Sequence, residues 1–183
     1  MFIGFYTVQQ KNRINKLPQV VIYSDGACLG NPGPGGYGVI LKYKDHRKES
    51  SAGYRKTTNN RMELMAAIVG LDSLKNKCSV ILHTDSQYLV DSITQGWAWR
   101  WRENSWRRNK RDRASNPDLW EKLLHLFEKH DVKVKWIKGH SGEKENERAD
   151  YLATQAAKRK NLLVDKYYEK NMQKENIQKH MDL

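Results

Sequence analysis

Cysteine is scarce: Cys28 and Cys78 are the only two among 183 residues. Two thiols cannot frame a disulfide-stapled fold, and their spacing is not that of a zinc site. Both are expected to be reduced thiols in a cytoplasmic protein. Long apolar runs are missing as well, so no bilayer-spanning segment is expected. The opening MFIGFYTVQQ lacks the basic start and long apolar core of a signal peptide. No membrane is expected among the partners. Acidic residues are in deficit: 21 Asp and Glu face 33 Lys and Arg, a net charge of +12. That balance favours an anionic partner. Nucleic acid comes first, because Lys and Arg gain affinity by releasing counterions from phosphates; an acidic membrane surface or acidic protein is the weaker alternative. What is present reads as globular, with 38% apolar and 30% charged residues. The length suits one domain with short tails.

Along the chain, residues 1–18 read as an N-terminal extension ending at Pro18. QVVIYSD (19–25) has the pattern of a buried strand and breaks at the turn-rich GACLGNPGPGG. YGVILKY (37–43) and ESSAGYRK (49–56) follow as two strands of an antiparallel meander. Residues 61–75 carry apolar side chains at helical spacing, with Asn60 and Glu63 placed as a capping-box pair. SVILHT (79–84) reads as a strand and SQYLVDSIT (86–94) as a short helix. Asn116-Pro117 is expected to start a helix running to about His130. VKVKWIK (132–138) alternates as a half-solvated strand, and ENERADYLATQAAK (145–158) reads as a last helix. The order β-β-β-α-β-α-α-β-α gives an α/β mixed sheet with helices on it. Residues 159–183 form a basic C-terminal tail, helical or disordered.

Four acids are set in distinctive surroundings. Asp25 is expected at the end of the first strand and Asp85 at the end of the fourth, where sites of open sheets form. Each has a local explanation too: Asp25 a turn, Asp85 a cap at Ser86, Glu63 a capping box, Asp150 a solvated helix face. Gathered together, they would repel one another unless a cation were present. Hard oxygen donors suit Mg²⁺, with Mn²⁺ a possible substitute. Two such ions about 4 Å apart can drive phosphodiester hydrolysis. His140 stands ten residues before Asp150 in a GHSG loop and could move protons near neutral pH.

DGACLGNPGPGGYG, TTNNRMELMAA, TDSQY and KGHSGEKENERAD together resemble the signature segments of type 1 ribonuclease H, the bacterial ribonuclease HI group. The resemblance runs from about Gln19 to Lys158. It implies the ribonuclease H-like fold, a five-stranded mixed sheet with helices on both faces. It also implies Mg²⁺-dependent endonucleolytic cleavage of the RNA strand of RNA–DNA hybrids, leaving 5′-phosphate and 3′-hydroxyl ends. In that pattern Asp25 bridges two ions, Glu63 and Asp85 complete one site and Asp150 the other. His140 assists at the scissile phosphate and in product release. Strand-transferases and junction resolvases share the fold but use another acidic arrangement. A non-catalytic binding module would not need all four carboxylates and His140.

Recognition of a hybrid requires reading the 2′-hydroxyl in a shallow minor groove. Cys28, Asn31, Asn59, Asn60 and Gln87 resemble the family's groove-contacting positions, and Thr58 its pocket for a DNA-strand phosphate. Asn is also common in turns regardless of function. From Trp97 to Arg113 the chain holds four of its six tryptophans and seven Lys or Arg against two acids. This stretch resembles the family's basic protrusion. Trp97 and Trp101 are expected to pack or stack, and Arg102, Arg107 and Arg108 to track phosphates. It departs from the better-known relatives in its Arg density and an extra residue near Gly96. The residues before Gln19 are too few for a separate hybrid-binding domain, so a single monomeric catalytic domain is expected.

Overall fold

The computed structural model of the protein describes residues 17–181, with side chains as far as 173. Most of the 1–18 extension lies outside the described residues. Five strands form one sheet in the order β3-β2-β1-β4-β5. β1 (Gln19–Cys28), β2 (Gly33–Tyr43) and β3 (His46–Thr57) make an antiparallel meander. β4 (Ser79–Thr84) and β5 (Asp131–Trp136) join parallel to β1 and to each other. The mixed sheet expected from the element order is therefore present.

Helices cover both faces. α1 (Asn59–Asp72) and α4 (Pro117–Lys129) enclose the main core with Val20, Ile22, Val39, Val80 and Leu82 of the sheet. Trp120 sits fully buried in this core and gives its indole N–H to Tyr88 Oη at 2.8 Å. α2 (Gln87–Thr94) and α3 (Trp97–Glu103) lie between β4 and α4 in the chain. α5 (Lys144–Ala157) covers the opposite face. Its approach is unusually close because β2 offers glycine there: a Cβ on Gly38 would overlap the carbonyl oxygen of Ala149. Small residues on both sides let backbone pack directly on backbone, so GPGGYG acts as a landing strip as well as a turn.

Several boundaries differ from expectation. β1 continues through Gly26 and Ala27, so Asp25 stands inside the strand and not at its end. Gly26 is required there because the backbone of α1 at Met62 and Glu63 presses on it. The Asn60–Glu63 capping box is absent. α1 starts two residues earlier, behind an extended Thr58 whose side chain makes no cap bond. Ser86, not Asp85, caps α2, its Oγ accepting from Leu89 N at 3.2 Å.

The segment after α5 is fastened to the body as far as Glu169. Leu163 bridges Tyr54 at the β3 edge, and Arg55 pairs with Glu169 at 2.7 Å. Asp165, 4% exposed, accepts from Thr57 Oγ1 and from Arg61. α6 (Lys166–Met181) follows, so the helical alternative for this region holds. Arg61 is the hub. It is 1% exposed and binds Asp118 of α4 through two 2.8 Å bonds and Asp165 at 2.6 and 2.8 Å.

Candidate active site

Asp25 and Asp85 meet because β1 and β4 run parallel. Tyr23 pairs with His83 in the ladder, so two residues further along both chains the carboxylates stand on one sheet face. Glu63 arrives from the second turn of α1, held by Asn59 Nδ2 at 2.7 Å and by a bond from Ser86 Oγ. Asp150 is in α5, the helix seated on the glycines of β2. The four acids therefore come from two central strands and from helices on opposite faces.

Electrostatics show that they converge. Asp25 is 7% exposed and has its amide partner in Gly26 N at 2.7 Å. Its carboxyl is pushed from the usual 3.8 to about 8, first by burial, then by the charges of Asp85 and Asp150, with Glu63 adding less. Glu63 is also raised, by burial first and by Asp85 after the opposing bond from Ser86. Such a surplus of buried negative charge, offered entirely through oxygens, fits a hard divalent cation. Among the described residues, no three His, Cys, Asp or Glu side chains already stand grouped closely enough to hold a metal ion.

The cluster has a consequence for stability. Native Asp25 keeps its proton up to about 8, whereas the unfolded chain releases it near 3.8. Between those values the folded state binds more protons, so metal-free stability falls as pH rises. Asp25→Asn should flatten that decline. At pH 8 it should raise the melting temperature by roughly 4–8 °C, or about 2 kcal/mol. Equal melting of the two metal-free proteins at pH 8 would contradict the buried charge.

The other expected residues fall into two groups. Asn31 Oδ1 accepts from Asn59 N at 3.2 Å, joining the β1–β2 loop to the start of α1. Cys28 is half-buried, its Sγ 3.6 Å from the carbonyls of Gly33 and Thr57. Thr58 is half-buried, while Asn60 and Gln87 are exposed, Gln87 reaching Asp91 at 2.7 Å. His140 is exposed on its loop with φ 52°.

The second group is the tryptophan-rich arm. Trp97, Arg100, Trp101, Arg107 and Arg108 line a concavity of about 670 Å³. Trp101 leans edge-on to buried Trp120 and Trp97 lies against Trp101, so the rings carry the arm from the core outward. Trp97 keeps 39% of its surface exposed. Arg102 is engaged within the protein, bound to Glu128 at 2.6 Å and stacked over Trp99. Arg107 and Arg108 remain exposed, on a loop shaped by Asn109 Oδ1 accepting from the backbone N–H of Arg111 and Asp112.

The RNase H family model matches residues 18–158. The chain belongs to the ribonuclease H family, in its bacterial type 1 branch. A ribonuclease H of Desulforamulus reducens is 62% identical over 154 residues, covering 84% of this chain and 97% of that one. Among solved structures, LC9-RNase H1, a type 1 RNase H with the type 2 active-site motif, has a TM-score of 0.69 at 33% identity, covering 78% of this chain and 73% of that one. LC11-RNase H1, solved in complex with an RNA/DNA hybrid, has a TM-score of 0.59 at 27% identity over 76% of this chain and 96% of that one.

Within this ribonuclease H, sequence reasoning missed the supports of the acids. Ser86 binds Glu63 while capping α2, and Arg61 ties the α1 start to α4 and the C-terminal segment. The buried arginine lay inside the NNRMEL motif, where a cation between polar residues gives no sign of burial. No helix among the described residues is long and apolar enough to cross a membrane.

Proposed function

We propose that this ribonuclease H hydrolyses the RNA strand of RNA–DNA hybrids endonucleolytically, leaving 5′-phosphate and 3′-hydroxyl ends. The observation that carries this reading is buried Asp25 surrounded by Asp85, Asp150 and Glu63 within a chain of net charge +12. The hybrid-bound LC11-RNase H1 supports the substrate class. Asp25, Glu63, Asp85 and Asp150 would hold two Mg²⁺ ions, or Mn²⁺ in their place. When bound, such ions ready a water and stabilise the leaving oxygen of a phosphodiester. Ser86 and Asn59 keep the Glu63 carboxylate turned toward Asp85. His140, exposed on its loop, would move protons at the scissile phosphate. Cys28, Asn31, Asn59, Asn60 and Gln87 face the minor groove, and Thr58 takes a phosphate of the DNA strand. The enzyme is read as a cytoplasmic monomer.

The test is cleavage of an end-labelled hybrid beside double-stranded RNA, duplex DNA and branched DNA of the same sequence. Cleavage of the hybrid's RNA strand alone, dependent on Mg²⁺ and stopped by EDTA, is expected. Cutting branched DNA in preference to the hybrid would overturn the reading.

The arm supplies a separate prediction. Arg107→Ala with Arg108→Ala should raise KM for the hybrid with little change in kcat, and reduce the salt slope of binding by roughly 1–2. An unchanged slope would remove these arginines from the phosphate path.

A further inference from the structure

The end of β5 wraps the junction between β4 and α2, where Asp85 sits. Thr84 pairs with Trp136 in the ladder, and Ile137 N donates to Thr84 O at 3.0 Å. The Trp136 indole N–H reaches across to the main-chain carbonyl of Asp85 at 3.3 Å. The ring does so while half-exposed, at 50%. Gly139 then passes beneath the Asp85 side chain. A Cβ on Gly139 would stand 2.7 Å from Asp85 Oδ2, and its three nearest neighbours would all be Asp85 atoms. The carboxylate thus fills the space that a side chain at 139 would take.

We propose that Trp136 and Gly139 form a two-point socket that positions the Asp85 carboxylate. The indole fixes the Asp85 peptide, which lies between the end of β4 and the start of α2. The bare backbone of Gly139 sets how far the carboxylate leans away from Asp25. Both are positioning residues; neither is placed at the reacting atoms. The proposal rests on reading Asp85 as a ligand of a divalent ion. Groups that orient ligands in this way commonly influence metal affinity or rate by about tenfold or more.

Two variants separate the contacts. Trp136→Phe keeps an aromatic ring but has no donor for the Asp85 carbonyl. Gly139→Ala meets only the free end of a side chain, so it displaces the carboxylate and spares the fold. Calorimetric titration of the nucleic-acid-free protein with Mg²⁺ should show affinity weakened about tenfold in each. On the hybrid, kcat should fall similarly while KM stays within about twofold. Melting close to the parent's identifies the effect as local; should Trp136→Phe melt early, Gly139→Ala decides alone. If both variants bind Mg²⁺ like the parent while Asp85→Asn does not, the socket is wrong and the ligand reading stands. If Asp85→Asn also binds Mg²⁺ and cleaves normally, the ligand reading fails and takes the socket with it.

Discussion

Asp25→Asn should lower the rate of hybrid cleavage by roughly a thousandfold or more, with hybrid affinity preserved. Asparagine keeps the size of the side chain and the acceptor for Gly26 N, so the strand has no cause to move. What disappears is the one ionisable carboxyl that the charges of the other three acids act upon. A loss of about 4 kcal/mol in transition-state stabilisation corresponds to that factor, and catalysis by bound ions is worth several kcal/mol. Single-turnover cleavage with saturating enzyme reads the rate, and filter binding in Ca²⁺ reads the affinity. Cleavage within tenfold of the parent in Mg²⁺ would show that Asp25 is not central. The same substitution stabilises the metal-free protein at pH 8, so a dead variant that melts later than its parent separates lost chemistry from lost folding.

Arg61→Ala should destabilise the protein by about 3–5 kcal/mol, lowering the melting temperature by roughly 6–20 °C. The guanidinium is the shared partner of Asp118 and nearly inaccessible Asp165. Removing it leaves a buried carboxylate whose donors among the described residues include Thr57 Oγ1 and the Tyr168 amide but no cation to balance it. It also removes the ring contacts to Tyr167 and Tyr168. Urea unfolding followed by circular dichroism measures the loss; a change under about 1 kcal/mol would make the hub dispensable. Arg61 is two residues from Glu63 on the same helix, so the surviving folded fraction should show reduced Mg²⁺ affinity as well.

Much of this architecture was readable in the residues. β4 declared itself through SVILHT, and α4 through Asn116-Pro117 and its apolar stripe at Leu119, Leu123 and Phe127. Misreadings occurred where a residue answers to a tertiary neighbour. Gly26 looked like a turn because glycine is the common turn residue, yet it serves a strand on which α1 rests. Asn60 and Glu63 had capping-box spacing, but Glu63 bonds Asn59 and Ser86 instead. α3 carries Trp at 97, 99 and 101 interleaved with Arg100 and Arg102, a pattern that suits neither a core helix nor a strand, and it is fixed by the edge of Trp101 against Trp120. The convergence of the four acids followed from the family resemblance; spacing alone left each with a local explanation.

The carboxylate cluster draws on three layers: α1, the sheet and α5. It therefore cannot exist in any part of the protein smaller than the assembled sandwich. Asp150 is the last of the four in chain order and reaches Asp25 only after α5 has docked on β2. A chain emerging from a ribosome would carry three of the acids without the fourth until residue 150 is released. The acidic cluster is in this sense the last feature that the fold completes, closed by the arrival of its final layer.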